Sequence, residues 1–374
     1  MSVTDILSLI GGLAFFLFGM HTMSAGLESM SGGMLERTLQ KSTESRFKAL
    51  LLGALVTVLV QSSSATTVMT VGFVNSSLMT LSEAIGVIMG ANIGTTFTAW
   101  ILSLTGIGGD SLLLTLLKPT SFSPLLAAVG AFLLLFSKRE KQKHIGSILC
   151  GFAVLMFGMN LMSASVAPLS ELPEFARIMV LFENPILGVL VGAVITGVIQ
   201  SSAASVGMLQ ALSVTGSITY GNAIPIIMGQ NIGTCVTALL SCIGATKNAK
   251  RTAMVHLYFN LIGSVVFLIL FYVVNAFVGF PFLTIPIEPA HIAMIHTVFN
   301  IAATLLWLPF ADVLEWLAVV TVPDRDSRTS TAHTSSSSAR RSSYRRTAGR
   351  SVCFCIPSAT LSASATTART SPRR

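Results

Sequence analysis

The stretch VTVLVQSSSATTVMTVG, residues 56–72, places glutamine, serine and threonine in the middle of an apolar run, and it recurs as ITGVIQSSAASVGML at residues 195–209. The two glutamines, Gln61 and Gln200, lie 139 positions apart (200 − 61 = 139). Polar groups inside a long apolar segment are costly unless they serve a purpose. The repeated polar patch therefore predicts a duplicated unit whose polar segment is a binding site.

The same offset relates two further pairs of segments. GANIGTT at 90–96 matches GQNIGTC at 229–235, and FGMHTMSA at 18–25 matches FGMNLMSA at 157–164. Three matches at one spacing, without a gap over roughly 80 residues, indicate duplication of a whole structural unit. We expect a first membrane repeat at 1–139, a second repeat with closing helices at 140–322, and a disordered Ser/Thr/Arg-rich tail at 323–374.

The composition is that of an integral membrane protein. Charged residues make up 10% and hydrophobic residues 52% of the 374-residue chain, with a mean hydropathy of +0.77. Long apolar runs without alternation favour helices over a barrel, so the predicted class is an all-α membrane protein in a lipid bilayer. The excess of basic residues falls mainly in the tail, which leaves nucleic-acid binding unsupported. Nucleotide-binding, zinc-protease and serine-hydrolase motifs are absent, which argues against an enzyme.

Basic residues before the tail fall in three clusters, which the positive-inside rule places in the cytoplasm. Three apolar stretches separate the first cluster from the second, so one of them must enter and leave on the same face. We assign that role to the QSS segment and predict a re-entrant hairpin in each copy. The clusters are Arg37, Lys41, Arg46 and Lys48; Lys138, Arg139, Lys141 and Lys143; and Lys247, Lys250 and Arg251.

About seven full crossings remain once the two hairpins are set aside. Three of them lie between the starts of the two copies, and an odd number turns the second copy upside down. The sequence thus predicts an inverted-topology repeat with the N-terminus outside and a site near the membrane midplane. The predicted crossings are 6–29, 84–104, 122–137, 145–165, 223–243, 252–275 and 291–310.

The two QSS segments offer neutral oxygen and amide groups. Hydroxyls can donate to the oxygens of an anion, and hydroxyl and carbonyl oxygens are ligands for an alkali cation. A hairpin tip also exposes the amides at a helix N-terminus, which favour an anion. For any single hydroxyl, bonding to its own helix or close helix packing explains the residue equally well. Duplication of the whole run favours a site.

The paired NIGT segments surround Asn92 and Asn231 with glycines. Such a pattern fits an unwound helix whose carbonyls bind an ion, and it also fits a small-residue packing face. Neither motif contains Arg or Lys, so an anion in this site must arrive with cations. His256 and Asn260 recur as His296 and Asn300 at helical spacing, for which helix-to-helix hydrogen bonding is preferred over a proton relay.

With QSSSATT and GANIGTT in one copy and QSSAAS and GQNIGT in the other, the chain resembles the bacterial form of the type II sodium/phosphate cotransporter family over about residues 5–322. The resemblance implies symport of inorganic phosphate across the cytoplasmic (inner) membrane, with sodium as coupling ion and no other cofactor. Ala203 departs from the Ser-Ser-Ser of the first copy. By position, phosphate and sodium would be held by Gln61, Ser62, Ser63, Ser64, Thr66, Gln200, Ser201 and Ser202, with Asn92, Thr95, Thr96, Asn231 and Thr234.

Two other functions remain open from the sequence. The first is a transport-inactive regulatory or scaffold protein of phosphate homeostasis, because bacterial relatives often continue into a cytoplasmic helical domain where this chain carries its tail. The second is an anion channel, which would need a continuous pore in place of paired hairpin tips. Polar motifs retained in both copies favour the transporter.

Overall fold

Helices alone build the part of the chain that the computed structural model describes, namely residues 2–31, 45–106, 119–168, 172 and 184–323. An isolated bridge pairs Thr219 with Pro286, and no strand forms within these ranges. The predicted all-α class is confirmed. The predicted tail lies outside the described residues from position 324 onward.

The helices follow the duplicated order that the sequence predicts. Helices α2, α3 and α4 recur 139 positions later as α7, α8 and the pair α9–α10. The α-helices of the described ranges are α1 (Val3–Ser31), α2 (Arg46–Val60), α3 (Ser63–Asn75), α4 (Leu81–Ser103), α5 (Pro119–Phe136), α6 (Glu140–Val166), α7 (Pro185–Ile199), α8 (Ser202–Ser213), α9 (Tyr220–Gly233), α10 (Cys235–Ser241), α11 (Lys247–Val278), α12 (Pro289–Trp307) and α13 (Ala311–Thr321).

Equivalent helices begin with equivalent caps. The Thr80 hydroxyl accepts from the Glu83 amide at the start of α4, and the Glu83 carboxylate accepts from the Thr80 amide in return. Thr219 and Asn222 form the same reciprocal pair at the start of α9. Each pair satisfies amides that have no partner inside the helix, so local sequence sets where both helices start.

Six helical segments are long and apolar enough to cross a membrane, against the seven crossings predicted. The seventh, predicted at 122–137, corresponds to the shorter apolar helix Ser121–Phe136. This segment is part of α5 (Pro119–Phe136). The six are Val3–Met30, Leu81–Gly106, Glu140–Val166, Tyr220–Ser241, Lys247–Val278 and Pro289–Thr321.

Helices α1 and α6, which carry the paired FGM segments, pack antiparallel at very short range. A Cβ atom on Gly19 would lie 2.3 Å from the backbone nitrogen of Leu155, and one on Gly158 would lie 2.4 Å from that of Phe16. Gly158 and Leu155 are the counterparts of Gly19 and Phe16 at the 139-residue offset, so the contact is reciprocal. Each copy presents the same surface to the other.

Glycines of the NIGT helices serve packing. A Cβ atom on Gly90 would lie 1.9 Å from the Leu50 carbonyl oxygen of α2, and one on Gly229 would lie 2.0 Å from the Val189 carbonyl oxygen of α7. The expectation of an unwound helix at Asn92 is wrong, because α4 runs without interruption through it. In the second copy the helix assignment pauses only at Thr234, between α9 and α10, where φ and ψ of −59° and −26° stay helical.

We predict that Gly90→Ala destabilises the protein, because the added methyl group must push α2 away from α4. Overpacking of this kind costs about 1–3 kcal/mol, and the Tm of the detergent-purified protein should fall. Gly72→Ala, at an exposed position of α3, is the matched control, since a Cβ atom there has nothing within 4 Å. An equal Tm for the two variants would contradict the packing role of Gly90.

Candidate functional site

The two QSS segments form hairpin tips with the same backbone geometry. Helix α2 ends at Gln61 and α7 ends at Gln200, both with φ 57° and ψ 25° in the left-handed region. The amide of each glutamine donates to a threonine carbonyl four residues earlier, at 2.7 Å in both copies. A left-handed conformation costs a residue with a side chain roughly 1–2 kcal/mol. The tertiary structure holds both tips in this shape.

A new helix begins immediately after each tip. The Ser62 hydroxyl accepts from the Ala65 amide at 3.1 Å, and the Ser201 hydroxyl accepts from the Ala204 amide at 3.2 Å. These serines are helix N-caps, so their oxygens are already engaged. Each tip turns the N-terminal amides of α3 or α8 toward the space in front of it, and such amides favour anions.

The next serine of each tip has an unused hydroxyl. Ser63 and Ser202 are both buried residues, with 6% and 7% of their surface exposed. Within the described ranges neither hydroxyl has a hydrogen-bond partner, and the same holds for half-buried Ser64. Their hydroxyls differ from those of Ser62 and Ser201, which accept from a helix amide. Ser63 and Ser202 are therefore the buried tip residues that keep a hydroxyl donor unused.

Inside the first hairpin, side chains bond to one another. The Thr57 hydroxyl donates to the Thr66 hydroxyl at 3.0 Å, and Thr66 donates to the Ser62 carbonyl oxygen at 3.2 Å. The Gln61 side-chain carbonyl accepts from the Thr98 hydroxyl of α4 at 3.1 Å. Thr66 therefore supports the tip from inside the hairpin.

The polar residues of the NIGT segments bond to their own helices. Asn92 and Asn231 donate to the carbonyl oxygens four residues earlier at 2.9 and 3.0 Å. Thr95, Thr96 and Thr234 donate to carbonyl oxygens in the preceding turn. The threonine hydroxyls have thus spent their donors, and the Asn92 and Asn231 side-chain oxygens are acceptors in any case, so these oxygen atoms offer acceptor capacity. Oxygens of this kind suit a cation better than an anion.

Each hairpin packs against the NIGT helix of the other copy. Val71 of α3 packs against Ala238 of α10. Gln210 of α8 donates to the Ala99 carbonyl oxygen of α4 at 3.0 Å and to the Pro289 carbonyl oxygen of α12 at 3.0 Å. Val71 and Gln210, like Ala99 and Ala238, are equivalent at the 139-residue offset, so this contact is reciprocal as well. The inner arms of both hairpins therefore meet the polar helices of the opposite copy.

The repeated His and Asn residues connect α11 and α12 to the second NIGT helix. His296 Nε2 lies 3.3 Å from Asn231 Oδ1, and Asn260 donates to Cys235 Sγ at 3.4 Å. Cys235 donates in turn to the His256 carbonyl oxygen at 3.3 Å. These are helix-to-helix bonds of the predicted kind, and they tie a predicted site residue, Asn231, to α12. In the part of the chain described, no three His, Cys, Asp or Glu side chains form a group that could hold a metal ion.

Two site features were missed by the sequence reasoning. The first is Thr98, whose hydroxyl donates to the Gln61 side chain. Thr98 recurs as Thr237 at the common offset, so the duplication could have pointed to it. The second is Gln230, which donates to the Ser205 carbonyl oxygen inside the second hairpin at 2.9 Å. Its counterpart in the first copy is Ala91, so the duplication could not point to it. The serines of the two tips remain predicted site residues.

Comparison with known proteins places this chain in a family of membrane transport proteins. A sequence model described as "Na+/Pi-cotransporter" matches residues 15–164 and 173–289, and the chain belongs to this family. The chain is 30% identical to "Uncharacterized protein YqeW" of Bacillus subtilis (strain 168) over 319 residues, which is 85% of this chain and 98% of that protein.

Two further relatives carry functional names. The chain is 28% identical over 308 residues, 82% of its length, to "Putative inorganic phosphate export protein YjbB" of Escherichia coli (strain K12), and it spans 54% of that protein. It is 40% identical over 108 residues, 28% of its length, to "Sodium-dependent phosphate transport protein 2B" of Homo sapiens, covering 16% of that protein. No solved structure matches significantly.

We predict that Gln210→Met weakens the junction of α8 with α4 and α12. The substitution keeps the side-chain volume but removes two buried hydrogen bonds, which costs about 1–3 kcal/mol in total. The Tm of the purified protein should fall accordingly. Met208→Leu, a conservative change on the same helix, serves as control, and a Tm unchanged in both variants would show that these bonds carry no stability.

Proposed function

We propose that the protein is a sodium-coupled symporter of inorganic phosphate that works by alternating access in the cytoplasmic membrane. The observation that carries the proposal is the duplicated hairpin tip, in which a helix N-terminus and a buried, unpartnered serine occur together twice. Family membership agrees with phosphate as substrate, and the name of the human relative agrees with sodium as coupling ion.

In this proposal the two copies form an inverted-topology repeat and the QSS segments are re-entrant hairpins. The reciprocal contacts of Gly19 with Leu155 and of Gly158 with Phe16 support a pseudo-two-fold relation between the copies. The short lengths of α2 and α3, 15 and 13 residues, support hairpins that turn back inside the membrane. The tips then meet near the midplane, with Ser62 or Ser63 close to Ser201 or Ser202.

The binding chemistry divides between the motifs. Phosphate oxygens accept from the N-terminal amides of α3 and α8, from Ser63 and Ser202, and from the amides of Gln61 and Gln200. Sodium takes the acceptor oxygens of the NIGT segments, at Asn92, Thr95, Thr96, Asn231 and Thr234, whose side chains donate to their own helices.

Coupling follows from the charge of this site. Neither motif contributes Lys or Arg, so a phosphate anion alone would enter a neutral, water-poor space at high cost. A sodium ion alone would meet the same obstacle. Each ion lowers the cost of the other, and by linkage the affinity of both rises together. Phosphate and sodium therefore bind together, and neither ion occupies the site alone.

Export is the second candidate direction, because one relative is named as an exporter. A symporter follows the combined gradient of its substrates, so the same site serves either direction. Transport measured in proteoliposomes distinguishes uptake from export. An inward sodium gradient should drive uptake of labelled phosphate, and an outward gradient should drive efflux from loaded vesicles. Phosphate movement that ignores sodium would overturn the symporter, and no movement at all would favour the regulatory protein.

We predict that Ser63→Ala, Ser202→Ala, Gln61→Ala and Gln200→Ala each lower sodium-driven phosphate uptake at equal expression. Loss of one hydrogen bond to a charged ligand costs about 1.5–3 kcal/mol, or on the order of tenfold to a hundredfold in affinity. Ser76→Ala, an exposed serine at the end of α3, is the control and should transport normally. Uptake like that of Ser76→Ala in all four variants would reject the QSS site.

We also predict that Lys141 faces the cytoplasm, as the positive-inside rule requires. In a variant without its native cysteines, Lys141→Cys should resist an impermeant thiol reagent on intact cells and react after permeabilisation. Thr284→Cys, on the turn after α11, should react from outside. Both positions are exposed in the fold, so burial does not confound the result. The reverse labelling pattern would invert the topology.

A further inference from the structure

The two hairpin tips share one backbone shape but hold their glutamines in opposite states. Gln61 is buried, with 5% of its surface exposed, and its carbonyl accepts from the Thr98 hydroxyl at 3.1 Å while its amide donates to the Val58 carbonyl oxygen at 2.5 Å. The Gln200 side chain is exposed and has no hydrogen-bond partner within the described ranges. Since φ and ψ are the same at both positions, the difference lies in the side chains and their surroundings.

The partner that Gln200 lacks is present in the second copy. Thr98 and Thr237 are equivalent at the common offset (237 − 98 = 139). The Thr98 hydroxyl donates to Gln61, whereas the buried Thr237 hydroxyl has no partner. An unpaired buried hydroxyl is unfavourable. The exposed Gln200 carbonyl and the unpaired Thr237 hydroxyl are thus the counterparts of the two groups, on Gln61 and Thr98, that bond to each other in the first copy.

The interior of the second hairpin is unsatisfied in the same way. Thr57 and Thr66 bond at 3.0 Å in the first copy. Their counterparts, Thr196 and Ser205, each carry a buried hydroxyl without a partner. Ser205 also borders an apolar cavity of about 300 Å³. The first hairpin thus has a hydrogen bond in its interior, between Thr57 and Thr66, and one at its tip, between Thr98 and Gln61. The second hairpin has neither of the equivalent bonds.

We propose that Thr98 and Thr237 are positioning residues for Gln61 and Gln200, and that the second hairpin closes by forming the Gln200–Thr237 bond that its counterpart already has. The inference rests on the proposed function, because Gln200 belongs to the candidate site. Closure buries the tip and separates the bound ions from one side of the membrane. One hydrogen bond contributes about 0.5–1.5 kcal/mol, which shifts the population severalfold and leaves the step reversible.

The first test measures closure without transport. Hydrogen–deuterium exchange is measured on the detergent-purified wild-type protein in choline chloride and in sodium phosphate, with residues 57–66 of the first hairpin as internal control. Backbone amides at 57–66 should exchange slowly in both buffers. Amides at 196–205 should exchange at least tenfold more slowly in sodium phosphate than in choline chloride, and Thr237→Val should lose this protection. Equal exchange at 196–205 in both buffers, or unchanged protection in Thr237→Val, would overturn the inference.

The second test uses transport. Thr237→Val keeps the side-chain shape and removes the hydroxyl, so the maximal rate of phosphate uptake should fall about tenfold with a smaller change in KM. Thr237→Ser restores the hydroxyl and should restore the rate, which a purely structural role would not predict. Thr284→Val, on an exposed turn, is the control. A Thr237→Val rate equal to this control would overturn the positioning role.

The two tests also separate failure of the inference from failure of the proposed function. If the wild-type protein shows no sodium-dependent uptake, the symport proposal falls, and the exchange result still decides whether the second hairpin closes. If the wild-type protein transports but exchange at 196–205 does not respond to sodium phosphate, only the closure inference falls.

Discussion

The structure depends on one constraint: a polar group in an apolar environment must find its partner inside the protein, because no water is available there. Most polar side chains in the described core meet it locally. Asn92, Thr95 and Thr234 bond to the preceding turn of their own helix. Capping serines and threonines satisfy the amides at helix starts. A group that local bonds leave unsatisfied is therefore informative, since it marks a place for a ligand or an alternative conformation.

The hairpin tips show how this constraint acts where one helix ends and the next begins. At each tip an αL glutamine is followed directly by a serine that caps the next helix and satisfies one of its first amides. Close packing of glycine against backbone holds α2 on α4 and α7 on α9, which positions each tip beside a polar helix. The same glycines that suggested unwinding instead give the hairpins a rigid support.

Duplication supplies an internal comparison that a single copy lacks. Equivalent positions have equivalent backbones, so any difference between them reports on side-chain state rather than on fold. Gln61 is bonded and buried where Gln200 is exposed, and Thr66 is bonded where Ser205 is not. A transporter that alternates between two conformations needs its halves to differ at any moment. The unequal bonding of two nearly equal hairpins is a physical basis for that difference.

The sequence by itself determined the all-helical membrane class, the duplication and the order of helices in each copy, because hydropathy, glycine spacing and capping residues act over short range. It also predicts the tip serines and glutamines as site residues through their recurrence. The tertiary structure decided whether a helix was unwound, since only the approach of Gly90 to Leu50 shows that glycine serves packing there. It also decided which polar groups are paired. Thr98 and Thr237 have the same residue type and register, yet one hydroxyl is bonded and the other is not, because pairing depends on where a distant glutamine side chain lies.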